Sequence, residues 1–260
     1  MKNNFTMITG AGGFLGSYHS ETVLSLGNSL VMIDINKKQI DQLKNKLSKK
    51  YKKNQIFSFK VDITKEKEIK NLRKILNRKK IFIQSIINNA AIDSVPGKSL
   101  KNRDFVDTKQ WKKELDVSLL GSYLLIKYFV KEMCLNKSGS VINIGSDLSV
   151  IAPNQKIYKK TFKNFVKPAT YPVVKHALLG MTKYFASLYG KYGVRFNMIS
   201  PGPIYNNHKK SFVNELNNII PMERMGTPND LKGVVKLFLS SESKYITGQN
   251  IIIDGGRTII

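Results

Sequence analysis

An α/β fold, a doubly wound parallel sheet of seven strands with helices on both faces, is predicted by three features of the sequence. Seven short apolar segments alternate with longer segments of helical period along the chain. The glycine run Thr9-Gly10-Ala11-Gly12-Gly13-Phe14-Leu15-Gly16 follows the first of them directly, where a strand must turn sharply into a helix. Nor does any repeat, low-complexity tract or linker interrupt the alternation. Strands that are apolar without a break are buried on both faces, which implies parallel pairing under two helical layers.

The first strand is read over Phe5 to Thr9, and the glycine run leads into a helix from Leu15 to Leu26. A second strand is read from Ser29 to Ile33. Lysine-rich helices follow over Lys37 to Lys52 and Glu66 to Leu76, separated by a strand within Gln55 to Val61. The fourth strand spans Ile81 to Ile87. A long helix is expected from Lys109 to Met133, before a strand over Ser140 to Ile144. The last third reads as helix Tyr171 to Tyr189, strand Val194 to Ile199, helix Pro228 to Leu239 and strand Asn250 to Ile253. The whole of 1–260 is read as one domain, with its ligand crevice at the carboxyl ends of the strands and substrate loops at 153–167 and 203–225.

Composition sets the outer limits. With 260 residues, 42% of them apolar, the chain is long enough to bury a real core. The apolar stretch from Leu119 to Val130 is broken by Lys127, so no membrane span is expected. The N-terminal Met1-Lys2-Asn3-Asn4 leads straight into the first strand, and Cys134 is the lone cysteine; both fit a cytoplasmic protein. The net charge is +25, from 43 basic and 18 acidic residues. Because the lysines are scattered over helix faces among many asparagines and isoleucines, compositional bias accounts for much of it. A phosphate-bearing small molecule is the next reading, ahead of nucleic acid or a membrane. No metal site is expected.

Chemistry is carried by two motifs. Gly10, Gly13 and Gly16 let the backbone turn, approach a pyrophosphate and pack the following helix, whose positive end faces the phosphates. Asp34 ends the second strand, where a carboxylate accepts hydrogen bonds from ribose hydroxyls and repels a 2′-phosphate, favouring NAD over NADP; Lys37 and Lys38 nearby leave NADP open. Tyr171 and Lys175 lie four apart on a predicted helix, so phenol and ammonium share a face. A nearby cation favours phenolate and should bring the phenol toward working pH as an acid or base. Tyr158 is a competing tyrosine, but Phe162, four residues on, cannot act in this way. Together the motifs point to hydride transfer on a nicotinamide cofactor.

The residues Thr9 to Gly16, Asp62-Ile63, Asn88-Asn89-Ala90-Ala91, Ser146, Tyr171 with Lys175, Asn197 through Pro201-Gly202, and Thr247 to Gly256 resemble the short-chain dehydrogenase/reductase family in its compact branch. That resemblance implies Tyr171 as acid/base, Lys175 holding the nicotinamide ribose and acidifying Tyr171, and Ser146 bonded to the substrate carbonyl. It also implies a cofactor bordered by Thr9, Gly10, Gly13, Phe14, Leu15, Gly16, Asp34, Asp62, Ile63, Asn89, Ala90, Ala91, Pro201, Gly202 and Ile204. A homotetramer or homodimer is implied as well, buried on the helices matching Lys109 to Met133 and Tyr171 to Tyr189, with Leu119, Leu120, Tyr123 and Leu124 supplying apolar surface.

Several positions depart from the family pattern. Phe14 replaces a glycine, Ala91 ends the Asn-Asn-Ala-Gly signature, and Asn206 stands for a threonine. Ser118 takes the place of the asparagine that completes a proton relay. Tyr171 follows Ser146 by 25 positions, where the family has roughly half as many. The inserted segment, Pro153 to Lys167, carries Lys156, Lys159, Lys160, Lys163 and Lys167 with Tyr158, Phe162 and Phe165. It is expected at the mouth of the site together with Tyr205, His208, Lys209 and Lys210. Such a basic, aromatic insertion is similar to that of flagellin-modification and surface-sugar oxidoreductases, and implies a sugar or sugar-nucleotide substrate. A 3-oxoacyl-thioester reductase is the alternative enzyme. A non-catalytic dinucleotide- or nucleic-acid-binding protein is the alternative of another class, against which Ser146, Tyr171 and Lys175 together argue.

Overall fold

A computed structural model describes residues 5–52, 55–93, 106–162 and 165–260. Its centre is a parallel sheet of β1 (Phe5–Thr9), β2 (Ser29–Asp34), β3 (Ile56–Lys60), β4 (Ile83–Asn88), β5 (Gly139–Ile144), β6 (Val194–Pro201) and β7 (Asn250–Ile253). The order is β3-β2-β1-β4-β5-β6-β7, so the strand order reverses between β1 and β4. That switch point opens a crevice at the strand carboxyl ends.

The unbroken apolar strands are explained by two cores, one on each face. Along β1 and β2, Met7, Val31 and Ile33 enter one core while Ile8, Leu30 and Met32 enter the other. The first core is closed by α3 (Glu66–Arg78), α5 (Gly121–Leu135) and α7 (Thr170–Tyr189), through residues such as Leu72, Phe129 and Phe185. The second is closed by α1 (Phe14–Ser25), α2 (Lys37–Lys50) and α9 (Lys232–Leu239), through Val23, Ile40 and Phe238. A polar thread fixes α7 against the sheet. Asn88 Nδ2 donates to Asn143 Oδ1 at 2.8 Å, and Asn143 Nδ2 donates to Thr182 Oγ1 at 2.8 Å, all three residues being buried.

Three expectations need correction. The long helix over Lys109 to Met133 is divided into α4 (Thr108–Leu115), a π turn at Asp116–Leu120, and α5. In the turn the Ser118 carbonyl accepts a hydrogen bond from Ser122 Oγ at 2.7 Å, a side-chain competitor for the helical ladder. The next residue after the turn, Gly121, meets Ile63: an added Cβ would stand 2.6 Å from Ile63 Cδ1.

Two short helices also lie inside the predicted loops. They are α6 (Gln155–Thr161), with Asn154 capping Lys156 N at 3.1 Å, and α8 (Lys210–Asn217). They pack on each other and share a third apolar cluster of Ile157, Phe212, Leu216, Ile220 and Met225. Finally, Leu124 belongs to the first core and offers no free surface, whereas Leu120 and Tyr123 are exposed. Among the described residues, no helix is long and apolar enough to cross a membrane.

Candidate active site

The glycine turn makes a cradle that a side chain would fill. Gly10 adopts φ +60°, and a Cβ on Gly16 would lie 2.1 Å from the Gly10 carbonyl oxygen. No side chain caps α1 at Gly13, so the amide end of this 12-residue helix is open to an anion. The turn is tied to the end of β4: Asn89 N and Ala90 N donate to Thr9 Oγ1 at 2.9 and 2.8 Å, and Asn89 Nδ2 donates to the Thr9 and Gly10 carbonyls. Asp34 accepts from Gly12 N at 3.0 Å and from Asn36 N at 2.9 Å, which aims its carboxylate across the turn. Asp62 is fixed by Thr64 N and Oγ1 at 3.1 and 2.7 Å, and Ile63 beside it packs on Gly121. These residues line one sheet edge; Ala91, just beyond, is exposed. Cradle and carboxylate fit a dinucleotide: the open amides suit a pyrophosphate and Asp34 suits ribose hydroxyls.

Beyond β5 and β6 the edge opens into a cleft of about 520 Å³, lined by Phe14, Leu15, Ser146, Tyr171, Pro201, Gly202 and Ile204 from the expected set. Phe14, at the glycine position of the family, therefore faces the cleft. Gly202 N donates to the Ile253 carbonyl at 2.8 Å, and the close packing of Gly202 on Asp254 leaves no room for a side chain.

Ser146, Tyr171 and Lys175 come together here. Tyr171 and Ser146 both line the cleft. Buried Lys175 sits beneath it, its Nζ donating to the Ile144 carbonyl at 2.8 Å and lying 5.4 Å from the Tyr171 ring centroid. Ser118 is buried in the π turn, which packs against α7.

The electrostatics differ from the expected direction. Burial pushes the Tyr171 phenol well above its ordinary range, and the negative charge of Asp93 adds to this, while the nearby Ser146 hydroxyl opposes it. Lys175 fails to reverse the shift because burial acts on it too, lowering it to about 8. Tyr171 is therefore set up as a neutral proton donor in this structure. Tyr158 lines the same cleft but packs at a tilt among Phe165 and Phe212, and burial raises its phenol as well.

The insertion contributes less charge to the cleft than expected. Lys167 alone of its described lysines lines the cleft, 4.3 Å from the Tyr171 ring centroid and ion-paired with Asp93. Lys156, Lys159 and Lys160 are exposed, Lys160 pairing with Glu215 at 2.5 Å, and Lys163 lies outside the described residues. His208, Lys209 and Asn206 line the cleft, whereas Tyr205 and Lys210 stay outside it.

Two charged pairs were not foreseen, Lys167 with Asp93 and Arg257 with Asp147. Asp147 adjoins Ser146 and Arg257 follows Gly255-Gly256, but nothing in the sequence joins positions so far apart. Among the described residues no group of three His, Cys, Asp or Glu is placed to hold a metal ion.

Comparison with known proteins identifies the class. A family model described as enoyl-(acyl carrier protein) reductase matches residues 15–258. The chain is 31% identical to a short-chain dehydrogenase from Leptospira borgpetersenii with bound NAD+; the structures superpose with a TM-score of 0.85 over 99% of this chain and 94% of that one. It is 30% identical over 254 residues to a 3-oxoacyl-[acyl-carrier-protein] reductase of Buchnera aphidicola, covering 96% of this chain and 95% of the other. It is also 26% identical over 260 residues to an NAD-dependent glycerol dehydrogenase of Listeria innocua, covering 97% and 93%. The chain belongs to the short-chain dehydrogenase/reductase family. It is an NAD(P)-dependent oxidoreductase that acts on a carbonyl group or the corresponding alcohol.

Proposed function

We propose that this enzyme interconverts a secondary alcohol and a ketone on a sugar-like, anionic substrate, with NAD as its cofactor, in the cleft between Tyr171 and the α6–α8 cap. The observation that carries this reading is the meeting of Ser146, Tyr171 and buried Lys175 in a cleft walled by the aromatic faces of Tyr158, Phe162 and Phe212. Aromatic faces suit the apolar face of a sugar ring, while Lys167 and Lys209, against Asp93, suit its polar and anionic groups. A cytoplasmic step in surface-glycan synthesis, such as flagellin modification, is the setting this substrate class suggests.

In this mechanism the glycine cradle and Asp34 would hold NAD, whose nicotinamide would supply or accept the hydride when bound. Tyr171 gives its proton to the substrate oxygen during reduction and recovers it during oxidation. Ser146 orients that oxygen by a hydrogen bond. Lys175 would hold the nicotinamide ribose and place a positive charge under the phenol. Any relay through Ser118 would use its hydroxyl, since its carbonyl is bonded to Ser122.

A 3-oxoacyl-thioester is the second reading, favoured by the apolar floor that Phe212, Leu216 and Met225 give the cleft. A spectrophotometric screen of NADH oxidation with keto sugars and their phosphates, acetoacetyl thioesters and steroid ketones separates the two. Turnover of the thioester alone would overturn the sugar assignment.

Asp34 yields a cofactor prediction. Asp34→Ala should weaken NADH about tenfold and improve NADPH, because a carboxylate–hydroxyl contact and a repulsion of the 2′-phosphate vanish together. A wild-type preference for NADPH in steady-state kinetics would refute it.

Assembly yields another. Leu120 and Tyr123 near the start of α5, and Val173, Tyr184 and Leu188 on α7, are exposed apolar residues, which supports burial against a second copy. Light scattering at micromolar concentration should report a homotetramer or homodimer; a monomer would contradict it.

A further inference from the structure

The hydroxyl of Ser146 is committed away from the cleft. It donates to Asp147 Oδ1 at 2.8 Å and accepts from Leu148 N at 3.2 Å. A serine has only one proton to donate. Its proton therefore rests on a carboxylate that is itself buried, with Asp147 only 3% exposed.

The other oxygen of that carboxylate, Oδ2, takes Nη1 of Arg257, which is 7% exposed and 110 positions away in sequence. Arg257 is held there by the turn before it. Asp254 accepts from Gly256 N at 2.9 Å and Thr258 N at 2.7 Å, and the Asp254 backbone packs on Gly202 at the cleft edge. Arg257 Nε has no partner among the described residues although it is buried, and the side chain lines the cleft. A clasp serving stability alone gains nothing from an unpaired buried donor beside the substrate space.

We propose that Arg257, through its ion pair with Asp147, is a positioning residue that decides whether Ser146 can turn its proton toward the substrate oxygen. A buried carboxylate without a counter-charge would keep that proton in a strong charge-assisted hydrogen bond. The guanidinium draws off this charge, so the serine can exchange Asp147 for the substrate oxygen at low cost. No bond is made or broken in this step; one hydrogen bond replaces another. The inference rests on the reading of Ser146, Tyr171 and Lys175 as the catalytic centre.

The test is a double-variant cycle on Arg257→Met and Asp147→Asn, read with NADH and whichever compound of the screen above the wild type reduces fastest. Arg257→Met should lower kcat about 10- to 100-fold while KM and NADH affinity change less than threefold. The double variant should recover at least half of that loss on a logarithmic scale.

A second readout is the pH dependence of the reverse oxidation, in which Tyr171 must be deprotonated. An uncompensated Asp147 charge disfavours phenolate, so the midpoint of the rise with pH should move upward in Arg257→Met and return in the double variant. A merely structural clasp would lower the amplitude without moving the midpoint. If Arg257→Met fails to fold by circular dichroism, Arg257→Lys keeps the charge and should stay within about fivefold of the wild-type kcat.

An unchanged kcat and midpoint in Arg257→Met, or a double variant no better than the single one, would overturn the proposal. Full activity in Tyr171→Phe, or no turnover of any compound in the screen by the wild type, would instead defeat the reading beneath it.

Discussion

Tyr171→Phe should lower kcat by about 10³-fold, the range expected for loss of a positioned general acid, while the NADH dissociation constant stays within threefold. The phenol shares the cleft with Ser146 beside the buried ammonium of Lys175, and removing one oxygen leaves the ring packing in place. Tyr158→Phe should cost less than about fivefold, expressed in KM, because that ring serves as wall among Phe165 and Phe212. Steady-state kinetics and fluorescence titration of NADH on the two variants decide the matter. Loss of turnover in Tyr158→Phe with Tyr171→Phe intact would reverse the assignment.

Lys175→Met should separate activity from stability. The ammonium is 3% exposed and its ionisation is lowered from 10.5 to about 8, chiefly by burial. A lysine depressed in the folded state loses its proton there first, so between about pH 8 and pH 10.5 the unfolded chain binds more protons and stability rises with pH. Below about pH 8 the folded protein bears the full cost of the buried charge, about 3 kcal/mol. Methionine removes that cost but leaves the Ile144 carbonyl without its donor, a loss of about 1–2 kcal/mol. The expected net result near pH 7 is a gain of roughly 1–2 kcal/mol in urea unfolding, with kcat/KM lowered about 10²-fold or more. The gain should shrink as pH approaches 10. A variant less stable than wild type at neutral pH would show that the hydrogen bond outweighs the burial.

Some of this was legible in the residues and some was not, for physical reasons. The strands could be read because residues such as Met7 and Ile8 enter opposite cores, which forces unbroken apolar runs. Tyr171 and Lys175 could be paired because four residues make about one helical turn. The helices α6 and α8 escaped because each spans only about two turns and its apolar face is satisfied by the other, not by the sheet. The π turn at Asp116–Leu120 ends where Gly121 meets Ile63, a tertiary contact that the local pattern does not show. The direction of the Tyr171 ionisation escapes the sequence for a related reason: spacing reveals the cation, whereas the enclosure that overrides it arises only when Ser146, Tyr158 and Tyr171 converge on one cleft. Arg257 and Asp147 are polar residues in unremarkable surroundings until the fold joins them.

The shared cluster of α6 and α8 has a consequence for how this enzyme could change its substrate. Ile157 on one helix and Phe212 and Leu216 on the other bury one another, so neither segment has an apolar partner once the other is replaced. Grafting only the insertion from a relative with different selectivity should expose that surface and yield an aggregating hybrid. Exchanging both segments as a unit keeps the seam intact. Selectivity in this scaffold would then be inherited in matched pairs, and recombination that splits the pair would be selected against even where each half is sound by itself.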